Sequence, residues 1–302
     1  TFSYPPSQSS VLESSTESVS WSADPAAVTF ITPSTTLRVD RVTGRVTFLD
    51  AAGDTLLNEA EGVVNQEGAR RISFANGRAQ NFYGAGERAH RLRLNGDTLV
   101  MFNRQNYGYG AGDPRISQMG ITMPWFASDN GYGVLVDDYA RARLFLGADS
   151  IVYTSETRKP LSYFFVNGGD LENVTANYTL LTGRQSLPPF WALGYITSRY
   201  GYHNEQEALG AIDSLRREGY PVDGIVFDLY WYGKETDMGR LEWNRQQFPD
   251  PRRMLDSLNN MGVHTVLINQ PYINKAGAID NYSMLTEAGL LTHDSVGNPH
   301  DV

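Results

Sequence analysis

The periodicity of the chain changes at one place, the pair Pro188-Pro189. Two consecutive prolines donate no backbone hydrogen bonds, so a sheet ladder cannot run through them. Before the pair, apolar residues alternate in short runs separated by Gly- and Asp-containing turns. After it, apolar runs of strand length alternate with amphipathic stretches of helical spacing. The first such run, Trp191–Thr197, predicts a strand covered on both faces. The change divides the chain into two domains: residues 1–187, all β, and residues 188–302, α/β.

In the first domain, Val28–Thr32, Thr36–Asp40 and Val46–Leu49 read as strands with period-two alternation. The turn residues Thr43-Gly44 and Ala52-Gly53-Asp54 separate or follow them. Gly131–Asp137, Arg143–Leu146 and Leu161–Val166 continue the pattern. Many short antiparallel strands favour a β-sandwich. Residues 5–25 are rich in Ser and Pro and read as a loose lead-in or an edge strand. The first helix is predicted from Asp170, as cap, to about Leu181. Two segments break the alternation, Phe82–Arg88 and Met101–Gly110. They mix Gly, aromatic, Asn and Arg residues, and read either as a surface loop with packed tyrosines or as a ligand-facing loop. Gly84-x-Gly86 is not a dinucleotide fingerprint, because it lacks the third glycine and the strand-to-helix setting.

In the second domain, Asn204 with Glu207 forms a capping-box pattern. A helix with the apolar stripe Ala208, Leu209, Ala211, Ile212 and Leu215 comes next and ends at Gly219. Gly224–Phe227 is the next strand, and Asp228 stands directly at its C-terminal end. A long loop leads to a helix opened by Asp250 and Pro251, with Met254, Leu255, Leu258 and Met261 inward and Gly262 at its end. His264–Ile268 is the third strand and runs into Asn269-Gln270. A further helix is expected from Met284. The order β-α-β-α-β predicts parallel strands, and in a (β/α)8 barrel their C-terminal ends face the active site. A Rossmann-like open sheet is the structural alternative, weakened by the missing glycine fingerprint. A complete barrel takes roughly 250 residues, so residues 188–302 are expected to supply its first strands and helices without closing it.

Composition narrows the function classes. The chain has 302 residues, with 41% hydrophobic and 20% charged side chains, the balance of a globular protein. A net charge of −9 without a basic run argues against a nucleic-acid partner. No apolar run approaches the roughly 18 residues of a membrane span. Without cysteine there is no disulfide and no Cys-bound zinc, and the five histidines lack metal-ligand spacing. No cofactor or metal is therefore expected. Asn173, Asn177 and Asn281 open Asn-x-Ser/Thr triplets, from which no glycosylation is inferred. The chain starts at Thr1 without Met or a signal-peptide core, as a mature secreted or trimmed form would. A periplasmic or secreted bacterial setting is favoured over a cytoplasmic one.

Pro188–Gly194, Ser198-Arg199-Tyr200-Gly201-Tyr202, Gly224–Leu229 and Tyr83–Glu87 resemble, in type and order, segments of the family 31 glycoside hydrolases, from about residue 25 to the end. These are α-glucosidases and their relatives, including α-xylosidases, α-galactosidases and α-glucan transglycosylases. The resemblance implies an N-terminal β-sandwich followed by a (β/α)8 barrel, and an oligosaccharide substrate. It implies that Asp228 bonds sugar hydroxyls at the cleaved linkage, that Leu229 and Ile268 line the pocket, and that Tyr200 flanks it. It further implies that Arg104 and Gln105 lie on a sandwich loop reaching over the barrel mouth. Trp231, next to Asp228, is a candidate sugar platform or a packing residue. Many members carry Asp at the position of Gln105 and an acidic residue at that of Gln270. The family's nucleophilic and acid/base aspartates lie on later strands, and no matching motif occurs in residues 1–302.

A retaining glycosidase needs two carboxyl groups roughly 5–5.5 Å apart, and Asp228 alone cannot fill both roles. Glu235, Asp237 and Glu242 read as solvated loop charges. The expectation is therefore an α-glucosidase-like hydrolase, of which this chain carries the sandwich and part of the sugar pocket. The remainder of the barrel is expected from the same polypeptide or a second chain. The alternatives are another activity of the same family or a non-catalytic carbohydrate-binding protein.

Overall fold

A computed structural model of the chain describes residues 18–66, 68–79, 81–88, 91–103, 120–294 and 296–300. The chain divides into two compact units, Thr1–Gln185 and Ser186–Val302.

The first unit is an antiparallel β-sandwich. Its strands are β1 (Ser20–Ala23), β2 (Ala27–Ile31), β3 (Thr35–Asp40), β4 (Val46–Asp50), β5 (Thr55–Gln66), β6 (Ala69–Ala75) and β7 (Phe82–Gly86). They continue with β8 (Thr98–Met101), β9 (Thr122–Ser128), β10 (Tyr132–Asp137), β11 (Ala142–Leu146), β12 (Ser150–Ser155) and β13 (Ser162–Asn167). One sheet has the order β1-β2-β3-β4-β5-β6-β12-β11-β8 and the other β13-β10-β9-β7. Alternation along the strands sends Phe48, Leu57, Ile72, Phe74 and Leu144 of the first sheet, and Phe82, Phe126, Tyr132 and Val134 of the second, into one core. Phe48 stacks on Phe165 across it, ring centroids 4.0 Å apart.

The smaller sheet is covered on its other face as well. Trp125, Ala127, Leu135 and Val166 alternate away from the sandwich core and meet Val174 of helix α1 (Leu171–Thr182). Asp170 caps this helix by accepting from the Asn173 amide. Trp125 stacks on Tyr178 at 4.1 Å. Gly133 leaves room for that indole, since a Cβ there would lie 2.2 Å from Trp125 Cη2.

Phe82–Gly86, expected as a loop, is instead strand β7, paired with β9. A bulge breaks its alternation. The register shifts between Gly84 and Gly86, and Gly84, Ala85 and Gly86 all have positive φ. A Cβ on Gly86 would stand 2.1 Å from the Ile121 carbonyl oxygen, so the glycine permits the close backbone approach there.

The second unit begins with a 3-10 turn, Phe190–Leu193, and continues with β14 (Ile196–Thr197), α2 (Glu205–Arg217) and β15 (Gly224–Phe227). It proceeds through α3 (Pro251–Asn260), β16 (His264–Leu267) and α4 (Ile279–Glu287). The predicted strand at Trp191–Thr197 thus shrinks to two residues. Pro189 stands just before the turn in extended backbone, and an unbroken apolar run has no alternation to separate turn from strand. The last helix starts at Ile279, ahead of the expected Met284.

The strand order is β14-β15-β16, parallel throughout. Ile225 and Phe227 are fully buried against a layer that includes Ala208, Ile212, Met254 and Leu258. On the opposite face Val226 and its register partner Val266 are less covered, with Val266 38% exposed. The fold is an antiparallel sandwich joined to the first strands and helices of a TIM barrel, and the three parallel strands do not close a barrel. No helix among the described residues is long and apolar enough to cross a membrane.

Trp125 gives the clearest test of the small sheet's second core. Trp125→Ala should destabilise the first unit by about 3–5 kcal/mol, read as a lowered urea midpoint with loss of the near-UV circular dichroism of the stacked indole.

Candidate functional site

Three parallel strands end on one side of their sheet, and each hands the chain to a polar segment there. After β14 comes Arg199-Tyr200-Gly201-Tyr202, after β15 comes Asp228, and after β16 come Ile268, Asn269 and Gln270.

The loop after β14 is braced by its own side chains. The Arg199 guanidinium lies 5.0 Å from the Tyr202 ring, donates to the Gly201 carbonyl at 3.0 Å, and pairs with Glu207. Tyr202 is buried and its hydroxyl shares a hydrogen bond with Thr197 Oγ1 at 3.1 Å. Of the predicted capping box, one half forms: Asn204 Oδ1 accepts from the Glu207 amide at 2.8 Å. The Glu207 carboxylate turns instead to the Arg199 guanidinium, a charge-assisted partner, with one oxygen and to the His203 amide with the other.

Asp228 continues β15 in extended conformation, φ −80° and ψ −179°. Its Oδ1 accepts from the Leu229 amide at 2.7 Å and so caps the 3-10 turn Leu229–Trp231. Its second oxygen has no hydrogen-bond partner among the described residues. Leu229 and Trp231 are both 6% exposed. The Trp231 indole N–H donates to the Ile268 carbonyl at 2.9 Å, which ties the loop after β15 to the end of β16. Ile268 is half-buried and its amide donates to the Phe227 carbonyl at 2.9 Å.

Tyr200 is 62% exposed, yet it is held. Its hydroxyl donates to Glu235 Oε1 at 2.6 Å. Its ring meets Tyr230 edge-on, centroids 6.0 Å apart, and His203 packs on Tyr230 at 4.1 Å. The hydrogen bond to Glu235, with smaller contributions from burial and from the charges of Glu235 and Asp228, pushes the Tyr200 phenol up to about 12. Burial, with the charge of Asp228 adding to it, also raises the Tyr232 phenol. The structure thus groups Tyr200, Asp228, Leu229, Trp231 and Ile268 around the strand ends. Arg104 and Gln105, also expected at the site, lie outside the described residues.

Sequence reasoning passed over Glu235 and Tyr230. Glu235 read as a solvated charge, and its pairing with a tyrosine thirty-five positions earlier has no local signature. Glu235 also borders a cleft of about 960 Å³ whose walls include Asn269, Gln270 and Tyr272. A smaller cleft of about 630 Å³ lies in the loop after β15, between His203, Tyr230, Arg240 and Trp243. Asp228 lines neither of these two. On the first unit, Phe102 and Asn103 border a cleft of about 610 Å³ together with Tyr139 and Arg141.

Comparison with known proteins gives concordant matches. A model described as the family 31 glycosyl hydrolase TIM-barrel domain matches residues 185–301, and one described as the family's N-terminal galactose mutarotase-like domain matches residues 1–144. The chain is 31% identical to the α-xylosidase XylQ of Lactiplantibacillus pentosus, over 67% of this chain and 26% of that protein. It is 25% identical to an α-xylosidase of Saccharolobus solfataricus, over 84% of this chain and 35% of that protein. An α-glucosidase of the same organism is 26% identical over 63% of this chain and 27% of that protein. The chain therefore spans about a quarter to a third of the length of these relatives. Among solved structures, a Flavobacterium johnsoniae family 31 dextranase complexed with glucose superposes with a TM-score of 0.85 at 24% identity, over 94% of this chain and 35% of that one. A family 31 α-xylosidase from a soil metagenome, complexed with xylose, gives 0.83 at 18% identity over 99% and 46%.

Gly201 tests the bracing of this site. It has φ +77°, and a Cβ there would stand 1.9 Å from Tyr230 Cδ2. Gly201→Ala should cost about 2–4 kcal/mol in urea unfolding of the second unit. It should also displace Tyr230, seen as a changed ring-proton shift of Tyr200 by NMR.

Proposed function

The chain belongs to glycoside hydrolase family 31, and from that premise we propose that it carries the sandwich and the sugar-binding strand ends of a retaining α-glycosidase acting on terminal α-linked glucose. The observation that carries the reading is Asp228. It is a half-buried carboxylate at the C-terminal end of the middle parallel strand, with one oxygen fixed by a backbone amide and the other without a hydrogen-bond partner among the described residues. That is the place where barrel enzymes hold substrate. A fixed carboxylate acceptor makes strong, charge-assisted hydrogen bonds to sugar hydroxyls.

In this reading Tyr200 flanks the bound ring, Leu229 and Ile268 form apolar wall, and Trp231 holds the strand ends in place or offers a platform. Arg104 and Gln105 are further candidate contacts to the sugar. The chemistry needs a nucleophilic carboxylate and a protonated one on either side of the linkage. No residue of 1–302 is assigned to either role. They belong to the later barrel strands, supplied by the same polypeptide or by a second chain. The partly exposed Val226–Val266 face supports that division of labour.

A second reading, α-xylosidase, is supported by the identity to XylQ and to the Saccharolobus solfataricus α-xylosidase. Xylose lacks the hydroxymethyl group of glucose, so the two readings differ in what fills one corner of the pocket.

The test is direct. The isolated chain should give no turnover of an aryl α-glucoside or an aryl α-xyloside, followed as aryl alcohol release. In an enzyme with the whole barrel, Asp228→Asn should lower kcat/KM by roughly 10- to 100-fold or more, the loss of a charged hydrogen-bond acceptor. The ratio of glucoside to xyloside turnover decides between the two sugars. Robust hydrolysis by the isolated chain would contradict the assignment.

A further inference from the structure

Glu235 occupies a position that a stray loop charge would not. It stands on the 3-10 turn Glu235–Asp237, which closes on itself: the Asp237 amide donates to the Lys234 carbonyl at 2.8 Å, and Asp237 Oδ2 accepts from the Lys234 amide at 3.2 Å. The loop after β16 and the first turn of α4 then clamp the turn. The Asn274 amide donates to the Met238 carbonyl at 2.8 Å, and Asn281 Nδ2 donates to the Gly239 carbonyl at 2.8 Å. Gly277 packs so close that a Cβ would lie 1.8 Å from the Thr236 carbonyl oxygen. A turn fixed on this many sides holds its side chain without a further ordering cost at the moment of binding.

From this clamped turn the Glu235 carboxylate takes the Tyr200 hydroxyl at 2.6 Å. Tyr200 is supported from behind by Tyr230, whose ring fills the space that Gly201 leaves open. Glu235 therefore links the loops after all three parallel strands. It is bonded to Tyr200 after β14, carried by the loop after β15, and borders the cleft of Asn269 and Gln270 after β16.

We propose that Glu235 is a positioning residue for the sugar pocket, holding the Tyr200 ring beside Asp228 so that it flanks the bound pyranose. The inference rests on the reading of Asp228 as a sugar-binding residue. Glu235 itself touches no substrate; it acts through Tyr200. The titratable groups facing Tyr200 are Glu235, Tyr230 and Asp228. The Tyr200 phenol stays a neutral donor through the neutral range, and the bond to Glu235 persists there.

The test uses the 302-residue chain labelled with ring 13C-tyrosine and titrated by NMR with D-glucose, then with D-xylose. The wild-type chain should show sugar-dependent shifts at Tyr200 that Asp228→Ala abolishes. Glu235→Ala should weaken sugar binding roughly tenfold, the worth of one hydrogen bond to a charged group. Glu235→Gln keeps an acceptor oxygen but no charge. It should recover part of that affinity while the Tyr200 titration falls from about 12 toward the ordinary tyrosine value near 10. Removing a negative charge favours the phenolate, so the direction is downward. If wild type binds, Asp228→Ala does not, and Glu235→Ala binds like wild type, the positioning role is overturned and the sugar site stands. If wild type shows no sugar-dependent shift, or Asp228→Ala binds as well as wild type, the sugar-site reading fails and the proposal with it.

Discussion

Phe227 decides on which face of its strand the Asp228 carboxylate of the second unit emerges. Its ring is fully buried, with Tyr202, Trp243 and Phe248 set edge-to-face around it at 6.3, 5.7 and 5.9 Å. Burying an aromatic of this size among three others outweighs any preference of its neighbours for one face or the other. Side chains alternate along extended backbone, and Asp228 remains extended. A slip of one residue would put Phe227 in solvent and Asp228 in the helix-facing core. The register pairs Gly224–Phe227 with His264–Leu267, so the same constraint levels the ends of β15 and β16. The residues beyond those ends, Asp228 in one case and Ile268-Asn269-Gln270 in the other, are thereby brought to one side.

The segments around that anchor divide into a frame and a set of contacts between loops. The frame is the buried layer beneath β15 together with the Trp231 bond to the Ile268 carbonyl. The contacts are Tyr200, Tyr230 and Glu235, which reach one another from different loops. Loops on a rigid scaffold are where binding groups concentrate, since they vary without cost to the core. In the first unit the same economy appears. Two opposed sheets bury a common core, and helix α1 covers the second face of the smaller sheet through Trp125 and Tyr178.

Much of this is legible in the sequence. The caps Asp170, Asn204 and Asp250, the stripes of α2 and α3, the Gly224–Phe227 strand and the parallel order all come from residue type and spacing. The illegible parts have physical causes. The bulge at Gly84–Gly86 destroys alternation inside a real strand. The apolar run after Pro189 carries no period, so its turn cannot be told from a strand. Glu207 serves Arg199 and His203 rather than its own helix cap, because those partners come from the loop before the helix. Glu235 meets Tyr200 only once two parallel strands are side by side, and no local pattern records that. The position of Asp228 is readable because it adjoins a strand; its environment is not, because that is built by loops.

The Asp228 carboxylate, at the strand ends, is the group on which the proposed function rests. Crystals of the 302-residue chain soaked in D-glucose would show it most directly. The predicted result is a pyranose with a hydroxyl within hydrogen-bond distance of Asp228 Oδ2 and the Tyr200 ring at its edge. An Asp228 carboxylate turned toward the helix layer, or a sugar bound elsewhere with the strand ends empty, would contradict it.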